Sequence, residues 1–405
     1  TKHFDAFKTR KIRFDLELRE ISASKRLLLV PKIEMKTFSG VISKKQSFGD
    51  GSGVELPREP PNLFEFLLGK GAGKISEGRP ICIIVEKTKE NYEDLIAILC
   101  RDIFREKIGG KPTPIYKETI EELRHEVESQ VEGKILIIEE VKETSKDLIQ
   151  ILKGFFSQNI GFLIMVSKEP LKLEDGIRRR GELSANIVTV NPQPELEMIR
   201  EKLLNIVRGK ESIIQAESFG KAFKKSVESL EEDLSTYLHN LRLKGPAELK
   251  CDWDKVVASS PDSNEDANEV HSAMKAFVWM YEWKKHEKLI IPKLEADGGE
   301  DVRIEDKNYE IETLFGAGDV RGKLTRKIKK YKERKGEKVY FVLKNVDILR
   351  NLALLCSFKR DWRKAGYTVE FFGLNLDKEE LVPLMEFVEL VRCSVHRHVA
   401  EKFYT

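Results

Sequence analysis

Asp301, Glu310 and Glu312 are the residues of this chain whose spacing is best suited to chemistry. Glu310 and Glu312 flank Ile311 in the strand-forming run Tyr309–Leu314, and side chains two apart on a strand leave from the same face. A short hairpin through Glu305–Asn308 brings Asp301, at the start of the preceding strand, beside them. Three carboxylates converging beyond an antiparallel pair supply the hard oxygen ligands that Mg²⁺ or Mn²⁺ takes. A cation held there activates water and offsets charge developing on a phosphodiester. A solvated hairpin face more often mixes both signs, because neighbouring like charges repel.

The following segment, Arg321–Lys338, carries ten Lys or Arg against Glu333 and Glu337, a local charge of +8. Leu324, Ile328 and Tyr331 recur at helical spacing and are expected to pack on a sheet. Lys323, Arg326, Lys327 and Lys330 spread over the remaining surface, where they are expected to contact nucleic-acid phosphates.

The elements that must position these groups can be read from hydrophobic period. A helix over Glu269–Lys285 precedes the strands Val302–Ile304 and Tyr309–Leu314. The basic helix, about Val320–Lys335, leads to the strand Val339–Leu343, a long helix over Val346–Ala365, the strand Tyr367–Gly373 and a terminal helix. The predicted order is α-β-β-α-β-α-β-α.

In these residues the stretch Glu269–Gly373 resembles the PD-(D/E)xK superfamily, the restriction-endonuclease-like nucleases. The resemblance implies Asp301 as the family's aspartate, Glu310 as its metal-binding acid and Glu312 in place of its lysine. It also implies Glu269, on the first helix, as a further catalytic acid, and Tyr331 on the basic helix. Two positions depart from the pattern: Glu300 rather than Pro precedes Asp301, and the strand reads E-x-E, a variant that occurs in some restriction enzymes.

Upstream, short apolar runs alternate with helical patterns. Ile81–Val85, Ile135–Ile138, Phe162–Val166 and Ile187–Val190 read as strands. Helices are predicted to Ile108, over Tyr116–Val131, over Ser145–Phe156, and from Pro194 to Gly209. Strands separated by helices imply a mainly parallel sheet covered on both faces, Rossmann-like or P-loop-like. GKGAGK at Gly69–Lys74 is not a phosphate loop, because a helix precedes it and a strand follows, the reverse of the required order. The loop after Ile81–Val85 contains Lys87-Thr88 but no glycine, too short to wrap a triphosphate.

Strand order and spacing across Arg79–Arg208 resemble an archaeal P-loop ATPase that has lost its lysine loop. That resemblance implies Glu139 near Mg²⁺, Glu140 orienting water and Arg178–Arg180 beside a later strand. No nucleotide-binding residues and no ATP are expected.

The chain has 405 residues, more than one core usually serves. The expected fold class is α/β and multidomain: a basic β-rich segment at 1–61, a P-loop-like α/β domain at 62–210, a helical extension and linker at 211–262, and a nuclease-like domain at 263–405. Lys2–Lys45 holds twelve Lys or Arg against five Asp or Glu, which reads either as a nucleic-acid arm or as a lysine-protected edge strand.

Overall, 71 basic against 68 acidic residues leave a charge of +3, which excludes a uniformly basic nucleic-acid coat. Five scattered cysteines, none in a C-x-x-C pair, and the helical spacing of His396 and His398 argue against zinc. No apolar run is long enough to cross a membrane, and Thr1–Asp15 lacks a signal-peptide core. These features and the Lys/Glu content suggest a cytoplasmic protein of an archaeal or other thermophile. The expected function is metal-dependent cleavage of DNA, or of RNA, in repair, recombination, mobile-element processing or antiviral defence, by the protein alone, as a homodimer or in a larger complex. The alternative is a non-catalytic DNA-binding or structural subunit built from decayed ATPase and nuclease folds.

Overall fold

A computed structural model describes residues 15–21, 26–32, 62–69, 71–108, 115–123, 135–157, 161–180, 186–192, 196–211, 215–257, 265–295, 299–331 and 337–392. Most of the basic Lys2–Lys45 segment, the turn around Asp297, most of the linker Ser259–Asn268, Cys393, His396 and His398 lie outside these residues. Strands β1 (Asp15–Ile21) and β2 (Arg26–Lys32) form an antiparallel hairpin registered from Asp15↔Lys32 to Ile21↔Arg26. This hairpin belongs to a separate unit and is described by itself.

The larger unit opens with α1 (Leu63–Leu68), capped by the Asn62 side chain, which accepts from the Phe64 amide at 2.8 Å. A five-stranded sheet follows: β3 (Ile81–Glu86), β4 (Ile115–Glu118), β5 (Ile135–Ile138), β6 (Phe162–Ser167) and β7 (Ile187–Val190). All its pairings are parallel, in the order β4-β5-β6-β3-β7. Helices α2 (Tyr92–Ile108), α3 (Ile120–Leu123), α4 (Lys146–Phe156), α5 (Pro170–Arg178) and α6 (Leu196–Arg208) connect or follow these strands.

Residues Ile81–Val85, Ile135–Ile138 and Phe162–Val166 of β3, β5 and β6 are apolar without interruption because helices cover both faces. Cys82, Ile84, Leu136, Met165 and Ile187 meet Leu148, Leu152 and Phe155 of α4. On the opposite face Ile83, Val85, Ile137 and Ile164 meet α2. One expectation needs correction: Tyr116 begins no long helix. Ile115–Glu118 is the edge strand β4, and among the described residues the short helix α3 follows it; the rest of the stretch to Val131 lies outside them. The half-exposed IYKE suits an edge position, where pairing with β5 overrides helical propensity.

A 26-residue helix, α7 (Phe219–Lys244), then packs against α2, α6 and α10 (Glu265–Lys285), with the short helices α8 (Ala247–Cys251) and α9 (Trp253–Val256) between α7 and α10. Ser218 caps α7 by accepting from the Lys221 amide at 3.3 Å.

The second sheet contains β8 (Lys293–Leu294), β9 (Val302–Ile304), β10 (Lys307–Glu312), β11 (Lys338–Leu343), β12 (Thr368–Asn375) and β13 (Glu380–Pro383). They lie in spatial order from β13 down to β8. β10, β11 and β12 are parallel, whereas β8, β9 and β13 pair antiparallel. Helices α11 (Val320–Lys329), α12 (Asn345–Arg350) and α13 (Leu352–Lys364) complete it, with a helix over residues 384–392. The long helix expected over Val346–Ala365 is thus two helices, broken at Asn351, whose side-chain amide turns back to the Asp347 carbonyl at 3.1 Å.

The protein is therefore a mixed α/β fold with a parallel sheet and a second, mixed sheet. One apolar core runs from α1, α2 and the first sheet to Leu324, Ile328, Phe341, Phe371 and Phe387 of the second. The turn that delivers α11 is fastened to α2: the Gly316 and Gly318 amides donate to the carbonyls of Arg105 (3.0 Å) and Glu106 (2.9 Å). Both glycines have positive φ, 58° and 60°, a conformation that side-chain-bearing residues adopt at a cost. Among the described residues no helix is long and apolar enough to cross a membrane.

Candidate functional site

Strand β10 divides its side chains by the period of two. Tyr309 and Ile311 face α10 in an apolar cluster with Phe277 and Trp279. Glu310 and Glu312 face the opposite side, toward α11, and are buried. Asp301, immediately before β9, accepts from the Ile311 amide at 2.8 Å, on the residue between the two glutamates.

Their partners come mainly from α11. The Lys327 ammonium donates to Glu310 at 2.6 Å and stands 3.2 Å from Glu312 and 3.9 Å from Asp301. Lys323 lies 2.9 Å from Glu312; Lys330 lies 3.7 Å from Glu310 and donates to the Gly299 carbonyl at 3.1 Å. Of the four basic residues expected to meet nucleic acid, three therefore face the carboxylates. Arg326 is exposed and makes no ion pair among the described residues.

Two further side chains reach the carboxylates, and of these only His271 had no signal in the hydrophobic pattern. The Tyr331 hydroxyl donates to Glu310 at 2.7 Å and is as deeply buried as its acceptor. His271 of α10 places Nε2 3.5 Å from Asp301. Glu269, two residues earlier, is exposed and accepts from the Ser235 hydroxyl of α7. The His271–Asp301 contact depends on how α10 crosses the sheet, which no local spacing encodes.

Burial favours the neutral form of Asp301, but the hydrogen bond and charge of His271, with Lys327 and the Ile311 amide, hold it well below the usual carboxylate range. Burial wins at Glu310 and raises it despite Lys327, with Asp301 adding to the rise. Burial also opposes the Lys327 ammonium, yet Glu312, Asp301 and Glu310 together raise it above an ordinary lysine. Burial and the neighbouring Glu310 raise Tyr331. Three carboxylates are thus set against three ammonium groups, with one ammonium central to all.

The all-oxygen donor set suits Mg²⁺ or Mn²⁺ in chemistry. Among the described residues, however, no three His, Cys, Asp or Glu side chains stand together as metal ligands. The carboxylates are spaced around an ammonium, at distances longer than the roughly 2.0–2.1 Å of Mg²⁺–oxygen bonds. Asp301, Glu310 and Glu312 could hold a cation only after Lys327 leaves.

A second location follows from sheet topology. The chain runs from β3 toward β4 on one side and from β6 to β7 on the other, so the order reverses between β3 and β6, where open α/β sheets bind ligands. Glu93 and Asp94 occupy the first turn of α2 there, and Asp94 lies 3.0 Å from Lys117. Two carboxylates at a helix N-terminus compete with any phosphate for the same positive pole. Glu139 stands 3.8 Å from Lys117, Glu140 accepts from Lys87, and Arg180 donates to the Thr144 carbonyl at 3.0 Å.

Comparison with known proteins adds little. No family model matches the sequence, and no curated protein does. A DNA polymerase III gamma subunit-related protein from Thermotoga maritima aligns over 54% of this chain and 74% of its own. At 13% identity and a TM-score of 0.23, that likeness carries no argument about fold or function.

Proposed function

We propose that this protein binds nucleic acid on the basic surface of α11 and that the carboxylate centre beneath is of nuclease type, acting on phosphodiesters of DNA or RNA. One observation carries the reading: Asp301, Glu310 and Glu312 all lie within 4 Å of the Lys327 ammonium, under a helix rich in lysine. Phosphates attract the lysines, and Arg326 is already exposed to meet them. His271 orients Asp301, while Tyr331 fixes one oxygen of Glu310. Mg²⁺ or Mn²⁺ held by the three acids would supply Lewis-acid activation of water.

In the same proposal the first sheet is a P-loop-like domain without a nucleotide. The acidic first turn of α2 and the paired Glu139 and Glu140 support this part.

The second reading, a non-catalytic nucleic-acid-binding or structural subunit, is favoured by the Lys327 ammonium standing among the carboxylates. Incubating the full chain with single-stranded, duplex and branched DNA and with RNA, in Mg²⁺ or Mn²⁺, separates the two. Cleavage that disappears in Asp301→Asn and Glu310→Gln supports the nuclease. Salt-sensitive binding with every substrate intact supports the binding subunit. Absence of both cleavage and binding sinks both readings.

A further inference from the structure

Helices α11 and α13 are neighbours on one face of the second sheet. Leu324 and Ile328 of α11 share a core with Leu355 and Phe358 of α13, and Phe341 of β11 packs against Phe358. Arg321 joins the two helices: its guanidinium meets Asp361 at 2.5 Å, donates to the Ser357 hydroxyl at 3.4 Å and lies 5.9 Å from the centre of the Phe358 ring. The Arg321 and Asp361 side chains are 47% and 46% exposed, so the helices also meet at solvent.

Charge is shared between them. Helix α11 holds five basic residues and no acid; α13 holds four basic residues and one acid, Asp361, which Arg321 neutralises. Lys323 and Lys327 turn inward to Glu312 and Glu310, and Glu370 of β12 takes Lys359. Arg326 and Lys329 of α11 remain exposed, as do Arg360, Arg363 and Lys364 of α13. The helix dipole accounts for a cation or two in each last turn. It does not account for the near exclusion of acids from two adjacent helices in a chain of 71 basic and 68 acidic residues.

We infer that α11 and α13 together form a docking face for a nucleic-acid duplex, held by the phosphates of both its strands. The inference rests on the nucleic-acid-binding reading above, and adds to it a second helix and the form of the polymer. Helices bridged by one arginine side chain have axes on the order of 10 Å apart. The face therefore presents two rows of cations. A single strand offers one row of phosphates, whereas a duplex offers two, bordering grooves about 6 and 12 Å wide. Single strands are also held by bases stacking on aromatic rings. The rings of α13 are occupied elsewhere: Phe358 packs on Phe341 and Phe371, and Trp362 packs on Phe358 and Tyr367. Contacts of this kind go to the backbone, so affinity follows charge and salt rather than sequence.

The test is fluorescence anisotropy of the full chain in EDTA, with a labelled DNA duplex of about 20 base pairs and with one of its strands alone. Wild type should hold the duplex about fivefold or more tightly than the strand. Arg326→Gln with Lys329→Gln on α11, and Arg360→Gln with Lys364→Gln on α13, should each weaken the duplex complex about fivefold or more and lower its salt slope by about 1–2. All four side chains are exposed, so the unfolding midpoints should stay in place and show that the variants fold. Removing equal charge from the first sheet, by Lys168→Gln with Lys172→Gln, should leave duplex affinity nearly unchanged. A strand bound as tightly as the duplex overturns the duplex. An α13 pair without effect beside a weakened α11 pair overturns the two-helix face and leaves the nucleic-acid reading standing, and a first-sheet pair that weakens binding equally also overturns the face. No binding of either probe by wild type overturns the nucleic-acid reading itself.

Discussion

Arg350 of α12 and Glu106 of α2 form a buried ion pair, with 2.5 Å between nitrogen and oxygen, that joins the helix layer of the first sheet to the second. Arg350 also meets Asp347 at 3.1 Å on its own helix. Removing one member strands the other charge in the core. Arg350→Met is expected to cost about 3–5 kcal/mol in denaturant unfolding, and Arg350→Met with Glu106→Leu to cost clearly less. A double variant as weak as the single one would contradict the pairing.

The pH dependence of stability has two limbs of opposite sign. Burial favours a neutral Glu231, but Lys344, at 2.8 Å, and Arg105 prevail and hold it at about 2. A depressed carboxylate stabilises the fold above its ordinary value of 4.5 and loses that contribution as pH falls toward 2, on the order of 3 kcal/mol. Asp347 is the reverse: burial raises it to about 6 despite Lys344 and Arg350. Its contribution is complete below 3.8 and lost as pH rises through about 6. Urea unfolding across pH should show the acid limb flattened in Glu231→Gln and the fall between pH 4 and 6 removed in Asp347→Asn.

Tyr331→Phe tests the support of the carboxylate centre. The hydroxyl donates to a buried carboxylate, and such bonds contribute about 1.5–3 kcal/mol. A loss of that size is expected in denaturant melts, and an unchanged midpoint would show that Glu310 does not depend on it.

Gly220, in the first turn of α7, marks a close approach of two backbones. A Cβ there would lie 1.8 Å from the Asn91 carbonyl oxygen, and the Gly220 amide donates to Glu90 at 2.8 Å. Gly220→Ala should cost about 1–3 kcal/mol through overpacking. Hydrogen exchange should show the amides of Phe219 and Gly220 losing protection, and unaltered protection would place the contact elsewhere.

Much of this architecture is legible in the residues themselves. Strands such as Ile81–Val85 and Phe162–Val166 read as unbroken apolar runs because helices cover both their faces. Glu310 and Glu312 could be paired on one face by the period of two alone. Strand β4 was hidden because a short edge strand with lysine and glutamate looks like a helical turn until its partner is known. His271 carries no local signal, since only the crossing of α10 over β10 brings it to Asp301. The inward aim of Lys323, Lys327 and Lys330 did have a trace. Each stands one position before Leu324, Ile328 or Tyr331, so the lysine stripe borders the buried one.

Helix α2 begins at the reversal point of the first sheet and ends at the carbonyls that grip the turn before α11. Its 17 residues span about 25 Å at the usual rise. It acts as a strut of fixed length between the strand-end loops of one sheet and the lysine row of the other. The separation of those two places is therefore set by a helix of fixed length rather than by a flexible tether.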